Sequence, residues 1–532
     1  MRNFLNLNRQ AFIYFTPLGL VLIYFFLKSL SFPLHDFANS YFPAHITANS
    51  EEPEVILFDI YNYNEYIWDL GYREVLGDFY LNSPFNAVAF YPLTYVQNAY
   101  SAKAIFNCIS ILLFLISLYQ LHKRLGKGIK WLIVAVPILF FIPLRNQIMF
   151  GQTYFLVFSL VIIAYMLFEK QKRISGSSLL VTAALLKVFP VAYGLPFLFK
   201  REWKTIFKTI IIAIVFLALS IAFTRTSIWE TYFFEVIPNA IKNKSTVNFQ
   251  YNAQSMDVFL KTFLVKDEYY NPSAIFDNEQ LYYALKWIYK SVVVGIAISL
   301  SFSRKSELFA LLSIWVVALF LIQSRTATYA QVLWLIPAFY IMSLSISKTK
   351  IIVFLIVLFL VCNMPISSLE SLPLVFKFSR LWLSLILAGL FYSSFNKKIN
   401  YKYIALGFLI LLPLHLDIFS KPKKDNSTYV LEQQKHFMIY DFYEEKGVLI
   451  YRAIGKNGNE FVSTNLSIKS FDEAACSIVN NQIEVNGKQL TDTADLKKKP
   501  ILINDCEVFF LTDSRSRRGA YTIKKIDICN SF

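Results

Sequence analysis

Long apolar runs, each closed by a short cluster of Lys and Arg, set the pattern of this chain from Ala11 to Phe419. A run near the roughly 20 residues that span a bilayer reads as a transmembrane helix, because backbone in lipid must satisfy its own hydrogen bonds. The runs predict helices over about 11–30, 100–121, 131–149, 153–169, 205–224, 281–302, 307–323, 328–346, 350–364, 379–395 and 402–419. The basic clusters include Lys123, Arg124, Lys127 and Lys130, then Lys170, Lys172 and Arg173, then Lys200, Arg201 and Lys204. Farther on come Arg304 with Lys305, Lys348 with Lys350, and Lys397 with Lys398. Short cytoplasmic loops collect such residues. With the N-terminus inside, the long polar loops 31–99 and 225–280 then fall outside.

The segment 177–199 breaks the alternation, since it has basic clusters on both sides and length for one crossing only. Pro190, Gly194 and Pro196 interrupt it, and proline removes a helical hydrogen bond in an interior. Two short helices dipping in and out fit better than one span, and irregular backbone at that depth lines a cavity or is buried in protein. The count is about 11–13 membrane segments over residues 1–419. From Ser420 the pattern changes to short alternating stretches at 447–453, 481–485, 500–503 and 506–511, separated by Gly455, Asn457-Gly458 and Asn486-Gly487. Such runs bounded by turn residues read as strands and hairpins. Residues 420–532 are therefore expected to form a small β-rich domain, extracytoplasmic by the helix count.

Composition agrees with a polytopic α-helical membrane protein. Only 17% of residues are charged, against about 25% in ordinary globular chains. The net charge of +16 would suggest nucleic acid, but its distribution between apolar runs reports topology instead. The first run follows Arg2 and Arg9, exceeds a signal-peptide core, and lacks a small-x-small cleavage site. An uncleaved helix in a cell (inner) membrane is the better reading. Cys108 and Cys362 fall in apolar runs, where they pack as small hydrophobes. Cys476, Cys506 and Cys529 permit one disulfide in the tail, of unassigned pairing.

Candidate chemistry gathers near the outer surface. Asp36 follows the first helix directly, and a carboxylate at such an interface suits a general base; an ordinary interfacial Asp in water is the competing reading. Asp59, Asp69 and Asp78, deeper in the same loop, are the carboxylates to compare with it. Lys187 sits within the broken segment. Intramembrane lysines face a cavity or a partner, which suggests a phosphate site, while a snorkelling lysine reaching cytoplasmic headgroups fits equally. Arg145, Arg225 and Arg325 lie near outer helix ends against the positive-inside bias, and guanidinium groups suit bidentate phosphate recognition. His35 and His45 flank Asp36 without metal-site spacing, so no metal is expected, nor any cofactor. No Gly-rich phosphate loop, Gly-x-Ser-x-Gly or Cys cluster is present in the sequence.

Several local patterns, in order, resemble the GT-C class of membrane glycosyltransferases, and within it glycosyltransferase family 87. Asp36-Phe37 followed by Tyr41-Phe42 is similar to the family's Asp-Phe-x-x-Tyr-Tyr stretch. Asn82-Ser83-Pro84-Phe85 with Tyr91-Pro92-Leu93 resembles its approach to the second helix, and Gly151-Gln152 its Gly-Gln turn. Ala184-Leu185-Leu186-Lys187-Val188-Phe189-Pro190, then Pro196 and Lys200-Arg201-Glu202-Trp203, resembles its Ala-Leu-Lys-x-x-Pro hairpin. Asn252-Ala253-Gln254-Ser255 resembles an Asn-Gln-Ser stretch. One departure stands out, because Ala330 and Gln331 occupy positions where relatives often carry His-His.

The resemblance spans about 20–350 and leaves the tail outside. It implies transfer of a single hexose or pentose from a polyprenyl-phosphate donor to a glycan or glycolipid acceptor, with inversion. Asp36 would be the base, and Lys187, Arg325 and Arg145 would face the donor phosphate. His35, Tyr41, Gln152 and Gln254 would line the substrates. The alternatives are a transporter or flippase of a lipid-linked saccharide, in which broken helices with buried charge also occur, and a glycan polymerase or ligase.

Overall fold

The computed structural model describes residues 2–529 apart from 127–128, 242–248, 250, 268–270, 273, 305–306, 396, 420–426, 431–437, 456–457, 494 and 515–517. Helices stand where the apolar runs predict them, beginning with Arg2–Ser29, except that 328–346 opens as the 3-10 turn Thr328–Trp334 before Leu335–Ser343, and 402–419 ends as a 3-10 stretch from Leu412. Among the described residues, Ala99–Leu125, Trp203–Phe223 and Glu279–Ser303 are each long and apolar enough to cross a membrane alone. A fourth candidate is the bent pair Lys130–Leu139 and Phe141–Met149. Shorter apolar helices of 10–17 residues, among them Ile13–Ser29, Tyr154–Glu169 and Leu308–Ile322, accompany these, so the count of 11–13 segments depends on the shorter pieces. Trp203–Phe223 shows why lipid is the solvent. Only 6% of its apolar window is buried in the protein, and Phe207, Ile211, Ile214 and Leu219 face outward. Such a surface marks contact with a membrane rather than water.

The run 131–149, expected as one helix, bends by 66° at Phe140. Pro143 has no N–H to donate back to the carbonyl of Leu139. Asn363, at the end of Lys348–Asn363, replaces that bond. Its Nδ2 donates to Leu139 O at 2.8 Å, and its Oδ1 accepts from the Ile142 N–H at 3.1 Å. One amide side chain therefore satisfies both faces of the kink. The segment 177–199 also breaks in its middle, at Lys187, just ahead of Pro190. Arg173–Leu186 ends there with Lys187 extended, and Phe189–Gly194 then coils as a 3-10 turn into Leu195–Phe199. Pro190 and Pro196 each sit in a first turn, where a missing N–H costs nothing.

The two long polar loops fold together. Ala38–Asn49 and Ile60–Asp69 from the first, with Thr226–Thr231 and Tyr232–Val236 from the second, share a core of Phe37, Phe42, Phe58, Tyr63, Phe79, Trp229 and Tyr232. They thus lie on one side of the helices.

The tail is strand-rich over 428–527. Thr428–Tyr429, Thr522–Asp527, Glu507–Thr512, Lys497–Ile503 and Phe471–Asp472 form an antiparallel five-stranded sheet in that order. Met438–Glu445, Val448–Gly455 and Gly458–Ser467 form a three-stranded sheet, and Cys476–Val479, Gln482–Val485 and Lys488–Gln489 another. The turn at Asn486-Gly487 has φ of 52° and 73°, the paired positive angles of a tight hairpin. Of the other turn signals, Asn457 lies outside the described residues. Cys506 and Cys529 are disulfide-bonded and Cys476 is free. Cys362 is buried as expected, whereas Cys108 is exposed on its helix.

This strand-rich region docks on the loops. The Arg518 carbonyl accepts from the Ile60 N–H at 3.3 Å, Arg518 pairs with Glu235, and Tyr61 stacks on Tyr440 with centroids 4.8 Å apart. Gly519, at φ +81°, approaches so closely that an added Cβ would lie 2.4 Å from Asp59 Oδ1. Nearby, burial pushes the Asp513 carboxyl up to about 7, with Asp495 and Glu235 adding to the effect, while the Leu496 N–H and Arg518 oppose it. The folded state therefore keeps a proton that the unfolded chain loses above about pH 4. This contribution to stability is fully present at low pH and is lost as pH rises through about 7. The full-length protein should melt at a lower temperature at pH 7.5 than at pH 5, and Asp513→Asn should flatten that difference. An unchanged slope in the variant would count against this role.

Candidate active site

Where the loops meet the helices, a cavity of about 1270 Å³ opens, lined by Asp36, Asp78, Asn82, Gln152, Lys187 and Arg325, among others. Each arrives by a traceable local reason. The chain leaves Arg2–Ser29 and makes a 3-10 turn, His35–Phe37, entered through His35 at φ 51°. Lys103 fixes this exit by donating to Pro33 O at 2.7 Å and Phe32 O at 3.3 Å. The Phe37 N–H donates to Phe150 O at 2.9 Å, seating the turn on the Gly151-Gln152 corner. Gly151 is required there. Its φ is +66°, and an added Cβ would lie 2.6 Å from Phe37 Cβ.

Asp36 is 27% exposed. The Gln152 amide donates to its Oδ2, and His35 Nδ1 lies 3.3 Å from its Oδ1. His35 is itself stacked on Phe150 at 3.9 Å. Lys187 Nζ donates to Asn82 Oδ1 at 2.9 Å and lies 5.9 Å from the Tyr154 ring centroid. The ammonium thus reaches toward the first loop and the cavity, and Asp36 acts on it electrostatically. Arg325 belongs to the segment 324–328, which Arg380 holds from behind. The buried Arg380 guanidinium donates to Thr326 O at 2.5 Å, Asn252 O at 3.3 Å and Thr328 Oγ1 at 3.3 Å.

The cavity therefore brings together His35, Asp36, Gln152, Lys187 and Arg325 from four parts of the chain. It does not include Arg145, Tyr41 or Gln254. Arg145 is exposed and bonds to Asn146. The Tyr41 hydroxyl donates to Val96 O at 3.0 Å within the loop core. Gln254 is a staple, donating to Tyr251 O and Lys377 O at 2.8 Å each and accepting from the Arg380 N–H. Arg225 is exposed and donates to Glu51 O, and His45 bonds to the Tyr66 hydroxyl at 2.9 Å. Ala330 and Gln331 are buried, with Thr328 and Tyr329 beside them on the cavity wall.

Asp78 is not the neutral comparison expected from its place deep in the loop, because it lines the same cavity. Asn64 clamps the neighbouring Gly77 from both sides, accepting from its N–H at 2.7 Å and donating to its carbonyl at 2.9 Å. Asn39 accepts from the Asp78 N–H at 2.7 Å. Asp59 instead caps Ile60–Asp69, accepting from the N–H groups of Tyr61 and Asn62, and Asp69 is exposed at that helix's end. Lys290 and His415 also line the cavity. Neither is among the sequence-predicted site residues, although Lys290 is the tenth residue of the apolar run 281–302 and a lysine so placed is a signal.

A charged cavity beneath folded loops, beside apolar helices that face outward, belongs to a membrane protein. Residues 80–324 match the family model of glycosyltransferase family 87. The resemblance read from the motifs holds over that span, and the family implies a glycosyltransferase. The match covers under half of the chain. It takes in Asp78-flanking Asn82, Gln152, Lys187 and Lys290, and leaves out Asp36, Arg325, His415 and the strand-rich tail. No curated protein and no solved structure matches the chain.

Proposed function

We propose that this protein transfers one sugar from a polyprenyl-phosphate donor to a glycan or glycolipid acceptor at the outer face of the cell membrane, with inversion. The observation that carries the reading is the meeting of the Asp36 carboxylate and the Lys187 ammonium on one cavity, with Arg325 on its wall. Asp36 accepts the proton of the acceptor hydroxyl as its oxygen attacks the anomeric carbon. The bond from that carbon to the phosphate oxygen breaks, and its electron pair leaves on the phosphate. Lys187 and Arg325 stabilise the negative charge developing there. Membrane helices offer the donor's hydrocarbon chain a place beside the site. The Cys506–Cys529 disulfide supports an extracytoplasmic tail, since disulfides persist in oxidising compartments. The loops packed against that tail would share its side.

The test is transfer by purified full-length protein of radiolabelled sugar from a set of prenyl-phosphate sugars to membrane glycolipids. Label should pass from at least one prenyl-phosphate sugar. Transfer from nucleotide sugars alone would overturn the donor assignment. Glycan analysis of a deletion strain would then name the sugar and linkage from the residue that is missing.

A further inference from the structure

A second charged group lies in the same cavity, built on a different set of helices. Lys290, on Glu279–Ser303, and His415, on Leu412–Phe419, both reach the lining. Behind them is Asp257, 4% exposed, whose Oδ1 carries its closest contacts. Lys286 Nζ sits 3.1 Å from its Oδ1, and the Tyr282 hydroxyl donates to the same oxygen at 2.6 Å. Lys261 interacts with Asp257, Glu279 and Asp267. His415 Nδ1 lies 2.9 Å from Leu411 O, so Nε2 is its remaining polar atom.

Lys290 differs from these neighbours. Among the described residues it makes no hydrogen bond and no ion pair. It feels only the longer-range attraction of Asp257 and the opposing charge of Lys286. A cation on a membrane helix without a close counter-charge is expensive, and expensive ionisable groups in membranes mark ligand paths. Lys103, Lys187, Tyr154 and Tyr329 feel the charge of Asp36, and none of them is among the groups that act on Asp257. A phosphate held at Lys187 therefore leaves Lys290 unanswered. The cavity, at about 1270 Å³, exceeds the roughly 300–1,000 Å³ of ordinary ligand pockets, which gives room for two head groups.

We propose that Lys290 and His415 form a second phosphate subsite, which receives the phosphate of the acceptor. The acceptor is then itself a lipid-phosphate-linked glycan, and two anionic lipids meet in one cavity with the sugar between them. The identity of the ligand rests on the transfer reading above, but the existence of two anion sites does not.

Native mass spectrometry of the full-length protein in detergent, titrated with farnesyl phosphate, counts the sites without requiring transfer. Two molecules should bind the unaltered protein, one should bind Lys290→Gln, and one should bind Lys187→Gln. Lys290→Arg, which keeps the charge, should bind two. If the glutamine variant is not recovered folded, Lys290→Met answers the same question with a side chain at home in a membrane helix. One bound molecule in the unaltered protein, or a count of two that Lys290→Gln leaves intact, overturns the subsite. Farnesyl diphosphate binding once and lost equally from both variants overturns it too, because both cations would then serve one donor. Displacement of one farnesyl phosphate by an equal concentration of inorganic phosphate would assign the subsite to free phosphate and overturn the lipid-linked acceptor. Two bound molecules without any sugar transfer would instead fault the transferase reading and leave the subsite standing.

Discussion

Asp36→Asn should lower turnover by about 100- to 10,000-fold, the usual loss when a general base is removed, while donor affinity and expression stay close to the unaltered protein. The substitution keeps the size of the side chain and an oxygen for the Gln152 amide, which now donates to Asp36 Oδ2. It removes only the capacity to take a proton. The effect should therefore fall on kcat and kcat/KM together, the mark of an interaction used in the transition state. Asp78→Asn is the necessary companion because Asp78 lines the same cavity. If Asp78→Asn abolishes turnover and Asp36→Asn does not, the base is Asp78. Asp59→Asn should act on stability instead, through the helix cap and the docking of Gly519 and Lys498. Asp69→Asn should do little at an exposed helix end. Normal turnover in all four, with a sugar-lipid crossing the bilayer, would favour a transporter.

Lys187→Ala carries the second large effect, expected on donor binding. Truncating one partner of a buried, hydrogen-bonded charge pair costs about 2–5 kcal/mol, and each 1.4 kcal/mol is tenfold in affinity. Donor affinity should therefore fall on the order of 30-fold or more. The reason is geometric as well as electrostatic. Nζ is held toward the cavity by Asn82 at 2.9 Å, with the Tyr154 ring 5.9 Å away. Lys187→Arg should rescue only part of the loss, because a planar fork does not fit a place shaped for a compact ammonium. Donor titration of purified protein checks this. An unchanged affinity would leave Lys187 as a structural partner of Asn82 and nothing more.

Much of this architecture was legible from local pattern. The apolar runs marked the three helices long and apolar enough to cross a membrane alone, since burial in lipid is decided residue by residue along a span. Pro190 and the flanking lysines marked the broken segment, and Asp36 stood out because it follows the first helix directly. The kink at Phe140 carries a local mark in Pro143, but the side chain that satisfies it, Asn363, lies more than two hundred positions away. Gln254 looked like a substrate ligand because a polar residue in a recurrent motif suggests binding. In the fold its amide closes the gap between Tyr251 and Lys377, and that pairing depends on Arg380.

The sequence by itself determined the apolar helices, the hairpin turn at Asn486-Gly487 and three of the charges that meet in the cavity, Asp36, Lys187 and Arg325. These follow from periodicity, run length and backbone preferences, all of which act over a few neighbouring residues. Only the tertiary structure decided that Asp78 joins Asp36, that Lys290 and His415 share their cavity, that Cys506 pairs with Cys529, and that the strand-rich tail sits on Asp59 and Glu235. Each of those is a contact between distant parts of the chain. Such contacts are set by how packed helices and loops exclude solvent together, which no local stretch of sequence encodes alone.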